Sequence, residues 1–443
     1  MPHQEALTVV ATIKPGQVEA VETLLGTIKD HVDTWDIIPF AELAHIHFAR
    51  LVVFNETTDR NGHTLPARVA LMTNVDAPLE AHIKALAGVC GTGLDAVFSH
   101  CEAYPESSER VPATRETFLK DHMVGHRAFY VNRQGRTVQQ IRQEDELRRA
   151  IDDYLNAVDL SGQSPESVRN SIVDLVRRRT DLSWALTPAE GPTLAWRITE
   201  ALHQVGIAVG MLVLLPLLLV LLPFFVILLR AHEKQDVPDP SPALPDAVRT
   251  FRADEDYWVQ NQIIAVGLFK PGWFRWLTAR VILAMTDYAC RHIYNRGSLS
   301  GLNTIHFARW VPLDESRRLF FSSNYDGSLE SYMNDFIDKA SWGLNAIFSN
   351  GAGFPRTAFL FCGGITDEIA YKRFLPTRQV QSRVWYSAYP HLSTKNIANN
   401  AEIRRGLSDT LDLEGVNRWL RRFGVGNQLP ASGLSARFLD SIR

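Results

Sequence analysis

The pentapeptide Ile46-His47-Phe48-Ala49-Arg50 recurs unchanged at 305–309. Other short matches flank both copies in the same order: Lys-Pro-Gly at 14–16 and 270–272, Asn-x-Asp at 74–76 and 324–326, and Gly-Leu-Asp/Asn-Ala at 93–96 and 343–346. The order and spacing of these matches hold over roughly 140 residues, which chance does not explain. We therefore predict that the chain contains two homologous copies of one structural unit.

Each copy alternates between apolar β-rich runs and stretches with helical periodicity. In the first copy the predicted order is strand (8–14), helix (17–32), strand (45–54), strand (67–74), helix (77–90) and strand (94–104). This is the βαββαβ pattern of a ferredoxin-like unit. Helices would cover one face of each four-stranded sheet, and the second copy would cover the other. The sequence thus predicts an α+β fold in which two ferredoxin-like βαββαβ repeats form a pseudo-dimeric α+β barrel.

The repeat also divides the chain into segments. The predicted organisation is a first repeat (1–143), a helical connector (144–204), a hydrophobic segment (205–230), a Pro-rich linker (231–256), a second repeat (257–406) and a C-terminal tail (407–443). The tail looks amphipathic, with Trp419, Leu420 and Phe423 as its expected anchors.

Composition excludes several classes of protein. With 443 residues the chain is too long for one small domain, and 46 basic residues against 49 acidic ones give a formal charge of -3, so nucleic acid is not expected as a partner. The four cysteines lack the spacing of a disulfide framework or zinc site, and the N-terminus lacks the pattern of a secretory signal. We expect reduced thiols, no bound metal and a cytoplasmic location for the soluble parts.

One segment departs from this average composition. Residues 205–229 are 25 consecutive uncharged positions, enough at about 1.5 Å per residue to cross a hydrocarbon layer of about 30 Å. Pro216 and Pro223 lie inside this run and would kink a helix, so a bent, re-entrant hairpin is as plausible as a straight span. Basic residues flank both ends almost equally, which leaves the orientation open.

The repeat bears on how this segment meets the membrane. A single crossing would put the two copies on opposite sides and leave their apolar sheet faces uncovered, so we favour a monotopic hairpin with both copies in the cytoplasm. Trp273 and Trp276, in a predicted helix after the second Lys-Pro-Gly, suit a membrane interface, although they could equally belong to the core. Arg177, Arg178 and Arg179 could bind anionic headgroups or simply form a solvated helix face.

The repeated motifs also supply the candidate site residues: His306, Arg309 and Asp326, with first-copy equivalents His47, Arg50 and Asp76. Strict alternation along a strand would place each histidine and arginine on opposite faces. Histidine can ligate haem, and arginine can stabilise an anion. The structural alternatives are a histidine hydrogen bond between the copies, an aspartate N-cap, or Arg–Asp ion pairs within each copy.

The combination of HFAR, N-x-D and G-L-D/N-A motifs resembles a group of largely uncharacterised bacterial proteins. More distantly, the duplicated pattern resembles the dimeric α+β barrel superfamily, which includes dye-decolourising peroxidases, chlorite dismutases and small monooxygenases. Asn324-Tyr325-Asp326-Gly327 is similar to the Asp-Gly of the peroxidases' distal motif, whereas the first copy has Ala77 in place of the glycine.

Two functional hypotheses follow. In the first, the resemblance implies a membrane-associated oxidoreductase acting on an apolar or lipid-like substrate, with haem on His306, Arg309 as charge stabiliser and Asp326 as acid or base. In the second, the chain is a non-catalytic, membrane-bound ligand-binding or scaffold module in which these residues hold the copies together. Membrane lipid is the expected partner in both, and the oligomeric state stays open.

Overall fold

The architecture is a mixed α+β fold with two four-stranded antiparallel sheets and one long apolar helix. It is known from a computed structural model that describes residues 3–31, 36–188, 193–239 and 259–425.

The N-terminal part of the chain begins with a strand and ends with the long helix. Its strands are β1 (Gln4–Thr12), β2 (Ile46–Phe54), β3 (Thr57–Thr58), β4 (Thr64–Leu65), β5 (Arg68–Asp76) and β6 (Ala128–Val131). Its helices are α1 (Val18–Asp30), α2 (Leu79–Val89), α3 (Gly91–Phe98), α4 (Pro112–Asp121), α5 (Val138–Ala157), α6 (Pro165–Arg178) and α7 (Leu194–Gln235).

The C-terminal part follows a similar order. Its strands are β7 (Gln260–Leu268), β8 (Ile305–Leu313), β9 (Arg318–Asp326), β10 (Thr357–Ala358), β11 (Cys362–Gly363) and β12 (Val384–Ser387). Its helices are α8 (Trp273–His292), α9 (Leu329–Lys339), α10 (Ser341–Phe348), α11 (Glu368–Arg378), α12 (Thr394–Ser408) and α13 (Leu413–Leu420).

The two four-stranded sheets are completed by exchange of their last strands. One sheet has the order β1-β5-β2-β12, so a strand from the C-terminal part pairs with β2, where Val384 lies opposite Leu51. The other has the order β6-β8-β9-β7, so β6 from the N-terminal part pairs with β8, where Ala128 lies opposite Trp310. Neither sheet is complete within its own part of the chain.

This exchange corrects one prediction from the sequence. The stretch 94–104 is not the fourth strand of the first repeat, because its first half lies in helix α3. Leu94, Val97 and Phe98 are spaced by three and four residues, the period of a helix, and all three are buried. The fourth strand of the first sheet is β12, from the C-terminal part of the chain.

The inner faces of the two sheets share one apolar cluster. Val10, Val52 and Met72 come from the first sheet, and Ile264, Val311 and Phe320 come from the second. Helices α8 to α11 pack with the outer side chains of the second sheet to form a separate cluster. Both faces of β2 are therefore buried along its whole length, as are almost all positions of β8.

Helix α7 runs without interruption through Pro216 and Pro223, so the re-entrant hairpin considered from the sequence is not formed. Its central positions, from Val205 to Phe224, are almost all exposed, and it is long and apolar enough to cross a membrane. Both ends contact α8. Near the start, His203 Nδ1 lies 2.6 Å from His292 Nε2, and near the end the rings of Phe225 and Phe274 are 5.5 Å apart.

Of the described residues, 139–188 and 395–425 form a separate compact unit. Its apolar core joins α5, α6, α12 and α13, and it buries Trp419 and Leu420. Arg177, Arg178 and Arg179 lie exposed at the end of α6. Arg177 pairs with Asp174, and Arg179 pairs with Asp181.

Candidate functional site

A β-bulge lies at the repeated pentapeptide in both sheets. Pairing shifts between Ile46 and Phe48 and, in the second sheet, between Ile305 and Phe307. An extra residue in a strand breaks the alternation of its side chains, so the strict alternation expected for His47 and Arg50 is wrong. The His47 ring lies 5.1 Å from Phe307, and Phe48 lies 5.5 Å from His306, so the two pentapeptides pack against each other.

Each histidine is bound to the aspartate of its own copy. The distance from Nε2 to the carboxylate is 3.0 Å for His47 and Asp76 and 2.7 Å for His306 and Asp326. If Nε2–H of a neutral imidazole donates to Asp76, Nδ1 accepts the hydrogen bond that joins His47 to the Tyr389 hydroxyl at 2.8 Å. Both imidazoles are buried.

The aspartates also cap helices, but not the helices expected from the sequence. The N-cap residues of α2 and α9, the helices that follow the aspartates, are Pro78 and Ser328. The second oxygen of Asp76 instead accepts the backbone N–H of Val138, the first residue of α5, at 3.0 Å. Asp326 accepts the backbone N–H of Thr394, the first residue of α12, at 2.8 Å.

The two arginines cross from one sheet to the other, so the predicted Arg–Asp ion pairs within each copy do not form. Arg309 donates to the backbone oxygens of Leu7 and Thr73 in the first sheet, at 2.6 and 2.7 Å. Arg50 donates to the second sheet, where its acceptors include Asn324 and the backbone oxygen of Ile263. Burial lowers the pKa of each guanidinium to about 9.

This arrangement has the chemistry of a polar joint rather than an open site. His306 is 3% exposed and Arg309 is also 3% exposed, so a substrate has no direct approach to either side chain. A haem ligand needs a ring nitrogen directed into a cavity, whereas His306 Nε2 is held by Asp326 and the ring packs on Phe48, so these residues do not fit haem. Within the described ranges, no group of three or more His, Cys, Asp or Glu side chains could hold a metal ion.

The tryptophans expected at a membrane are on the surface. Trp273 is 70% exposed and Trp276 is 40% exposed, so neither belongs to the core. They start an exposed apolar strip on α8 that continues through Leu277, Val281 and Met285. The strip follows the four-residue spacing of one helix face. Phe274 and Arg275, which lie between the two tryptophans in the sequence, are buried instead.

A buried ionic cluster holds the end of α7. Asp236 accepts from Lys270 at 2.6 Å and from Arg275 at 2.7 Å. Lys270 also donates to the backbone oxygen of Ser349, as Lys14 of the first Lys-Pro-Gly does to Ser99. Burial lowers the pKa of Lys270 to about 8, even though Asp236 opposes that shift.

The sequence did not indicate the apolar pocket on the outer side of the second sheet. The empty space in and in front of it, open solvent included, is about 640 Å³, and its walls are β7, β9, α9, α10 and α11. The lining is almost entirely apolar and includes Ile263, Phe321, Phe336 and Phe374, with Arg378 as its charged side chain. A comparison of the copies gives one signal: Gly267 and Gly351 of the lining replace Ala11 and Cys101 of the first copy.

No protein-family model matches this chain, and no curated protein is significantly similar to it.

Proposed function

We propose that this protein is a membrane-attached, non-catalytic module that binds an apolar ligand. The observation that carries the proposal is the surface of α7. From Val205 to Phe224 this helix is apolar and exposed on nearly all sides. A helix that is hydrophobic all round belongs either inside a large core or in a membrane, and the rest of the described chain does not cover it.

The contacts of α7 support attachment from one side of the membrane. With 42 residues it is about 63 Å long, roughly twice the thickness of a hydrocarbon layer. Glu200 near its start pairs with Arg291, and Leu229 near its end packs against Phe274, so α8 holds both ends. A helix tied in this way lies along the membrane together with the exposed strip of α8.

Strand exchange supports the same topology. Each sheet combines strands that precede α7 in the sequence with strands that follow it, so the two parts of the chain stay on one side of the membrane. We propose that this side is the cytoplasm, since all four cysteines are free. We also propose that the two sheets derive from duplicated ferredoxin-like units that form a pseudo-dimeric barrel, because the repeated motifs occupy matching register positions.

A non-catalytic role is favoured over oxidoreductase chemistry by the environment of the repeated residues. His47, Arg50, His306 and Arg309 are all buried, and their hydrogen bonds join strands, helix starts and the two sheets. These contacts are those of residues that hold a fold together. Conversely, the apolar pocket contains none of these residues.

Labelling with a membrane-impermeant maleimide tests the topology. In a Cys362→Ser background, which removes the exposed cysteine, Ser183→Cys and Val237→Cys place reactive thiols before and after α7. We expect both to be labelled from the same side of sealed vesicles, and the protein to remain with the membrane after an alkaline carbonate wash.

Labelling of the two cysteines from opposite sides would show that α7 crosses the bilayer. Release of the protein by carbonate would refute membrane insertion. If the released protein were a soluble oligomer, the apolar surface of α7 would be assigned to contacts between protein molecules.

A further inference from the structure

We infer that the apolar pocket of the second sheet binds a single fatty acid, with the chain between β7, β9 and α11 and the carboxylate at Arg378. This inference names the ligand class of the proposed function and rests on it for the source of the ligand, which is the membrane. The pocket is a partly open groove with an almost entirely apolar lining, which suits an alkyl chain.

The first copy shows that this space is not required by the fold. Ala11 lies opposite Val69 in β5, and Gly267 lies opposite Leu319 at the same register position of β9. Cys101 bridges to Ile13 and Gly351 bridges to Phe269 in the same way. Ala11 and Cys101 are both completely buried in the first copy, so the second copy has lost two side chains where the first copy is filled.

The pocket is also open beside β7, the strand that matches β1 of the first copy. Val9, Ala11 and Ile13 are buried in the first copy, whereas Gly267 and Phe269 are partly exposed in the second. A Cβ built on Gly267 meets no atom within 4 Å. Ile263, Ala265 and Gly267 alternate along β7, so all three face the pocket and a larger side chain at 267 would enter it.

Arg378 gives the pocket a charge suited to a carboxylate. Its guanidinium lies 5.2 Å from the Phe374 ring, which also lines the pocket. Nη2 donates to Asp239 at 2.9 Å, whereas Nε is buried and has no hydrogen-bond partner among the described residues. Guanidinium groups bind carboxylates through strong, charge-assisted hydrogen bonds, and an unsatisfied buried donor favours such a ligand.

The position of Arg378 connects the pocket to the membrane helix. Asp239 follows the last residue of α7 by four positions, and its backbone N–H donates to Gly353 at 2.9 Å. The charged side of the pocket therefore lies beside the segment where α7 leaves the apolar layer. A single-chain lipid with an acidic head could pass from the membrane into this pocket with its carboxylate at the boundary.

Binding of cis-parinaric acid, a fluorescent fatty acid, to the full-length protein in phosphatidylcholine nanodiscs tests the inference. We expect saturable binding to one site, with displacement by palmitic acid. Gly267→Leu should abolish it by filling the pocket, whereas Gly267→Ala, which introduces the residue of the first copy, should change affinity by less than about threefold.

Arg378→Gln should weaken binding of the acid about tenfold or more, the loss expected for one charged hydrogen bond. The same variant should leave displacement by hexadecanol unchanged, since the alcohol carries no charge. Lys372→Gln, at a partly exposed position of α11 outside the pocket lining, is the control for a change of charge on this helix. Unchanged unfolding temperatures would show that the variants fold.

Non-saturable uptake equal to that of empty nanodiscs would overturn the inference, as would full binding by Gly267→Leu. A protein that stays in the membrane without binding the probe would refute only the pocket. A protein that binds the probe saturably but is released by carbonate would refute only the membrane attachment.

Discussion

At the scale of single residues, the N-terminal and C-terminal parts of the chain differ at one matching position, where the N-terminal part buries a histidine. His82 Nε2 is bound to the Thr73 hydroxyl at 2.9 Å, and its Nδ1 lies 2.8 Å from His45 Nε2. In the second copy Tyr332 occupies the matching place and is bound to Ser323 at 2.8 Å. Burial, together with the neighbouring His45, lowers the pKa of His82 to about 3. The N-terminal part of the chain therefore buries a neutral histidine at a position where the C-terminal part has a tyrosine.

We predict that His82 makes the protein less stable in mild acid. Its pKa is lowered in the folded state, so below about pH 6.5 the unfolded chain takes up a proton that the folded chain does not. The free energy of unfolding should fall by about 1.4 kcal/mol per pH unit below that value from this group alone. His82→Tyr should reduce this slope, as measured by urea unfolding at pH 7.5 and 5.5.

His63→Gln removes an exposed histidine and serves as the control for the loss of a histidine as such. If His82→Tyr and the parent protein lost the same stability between the two pH values, another buried group would be responsible.

The contacts of single residues were only partly predictable from the sequence. The repeat identified His47 and Arg50 as special because identical residues returned at matching places. It could not reveal that Arg50 reaches the opposite sheet, since the β-bulge that redirects the neighbouring histidine depends on backbone register. The sequence also did not indicate that Gly267 lines a pocket, because the effect of a missing side chain can be judged only when the residues around it are known.

At the scale of elements, a second buried carboxylate, Glu233, holds the end of α7 together with Asp236. Glu233 accepts the backbone N–H groups of Leu360 at 2.8 Å and Phe359 at 2.9 Å, and also binds Thr357 and Arg230. These partners belong to the β10–β11 hairpin and to the last turns of the helix. The hairpin is thereby joined to the helix that we place in the membrane.

We predict that Glu233→Gln loosens this joint. A carboxylate accepts at both oxygens, whereas an amide presents one oxygen and would direct its NH2 group toward existing donors. Buried donors left without a partner cost about 1–3 kcal/mol each, so the free energy of unfolding should fall by about 2–3 kcal/mol. Amide hydrogen exchange at Phe359 and Leu360 should be faster in this variant than in the parent protein, whereas exchange at sites in β8 should not change.

Lys234→Gln alters the exposed neighbour and should change neither quantity. Equal exchange rates at Phe359 in Glu233→Gln and in the parent would show that the hairpin is held by other contacts.

At the scale of the whole molecule, the repeat predicted which segments resemble each other but not how they connect. Apolar patterning indicated strands at 45–54 and 67–74, which correspond to β2 and β5 with slightly different ends. The exchange of β6 and β12 was not predicted, because strand pairing between distant segments leaves no local signal in composition or periodicity. The exchange means that the two parts of the chain form their sheets together.

Splitting the chain tests this mutual dependence. A cut at residue 245 falls outside the described residues and separates β1–β6 and α7 from β7–β12. Either fragment alone would leave a central strand, β2 or β8, as an unpaired edge, and such edges favour aggregation. We predict that either fragment expressed alone is insoluble in a detergent extract of the cells. The two fragments expressed together should be extracted as a one-to-one complex.

Ala388 allows the complex to be attributed to strand exchange, since its backbone N–H donates to the backbone oxygen of His47 in β2 at 2.9 Å. Ala388→Pro removes this donor and should reduce recovery of the complex, whereas Ala388→Gly keeps it and should reduce recovery less. Two fragments that each folded as soluble monomers would contradict the prediction, because each sheet would then be complete without the strand from the other part. Recovery of the complex from both variants at the level of the parent would mean that the two apolar cores shared by the fragments, rather than pairing of β12 with β2, hold them together.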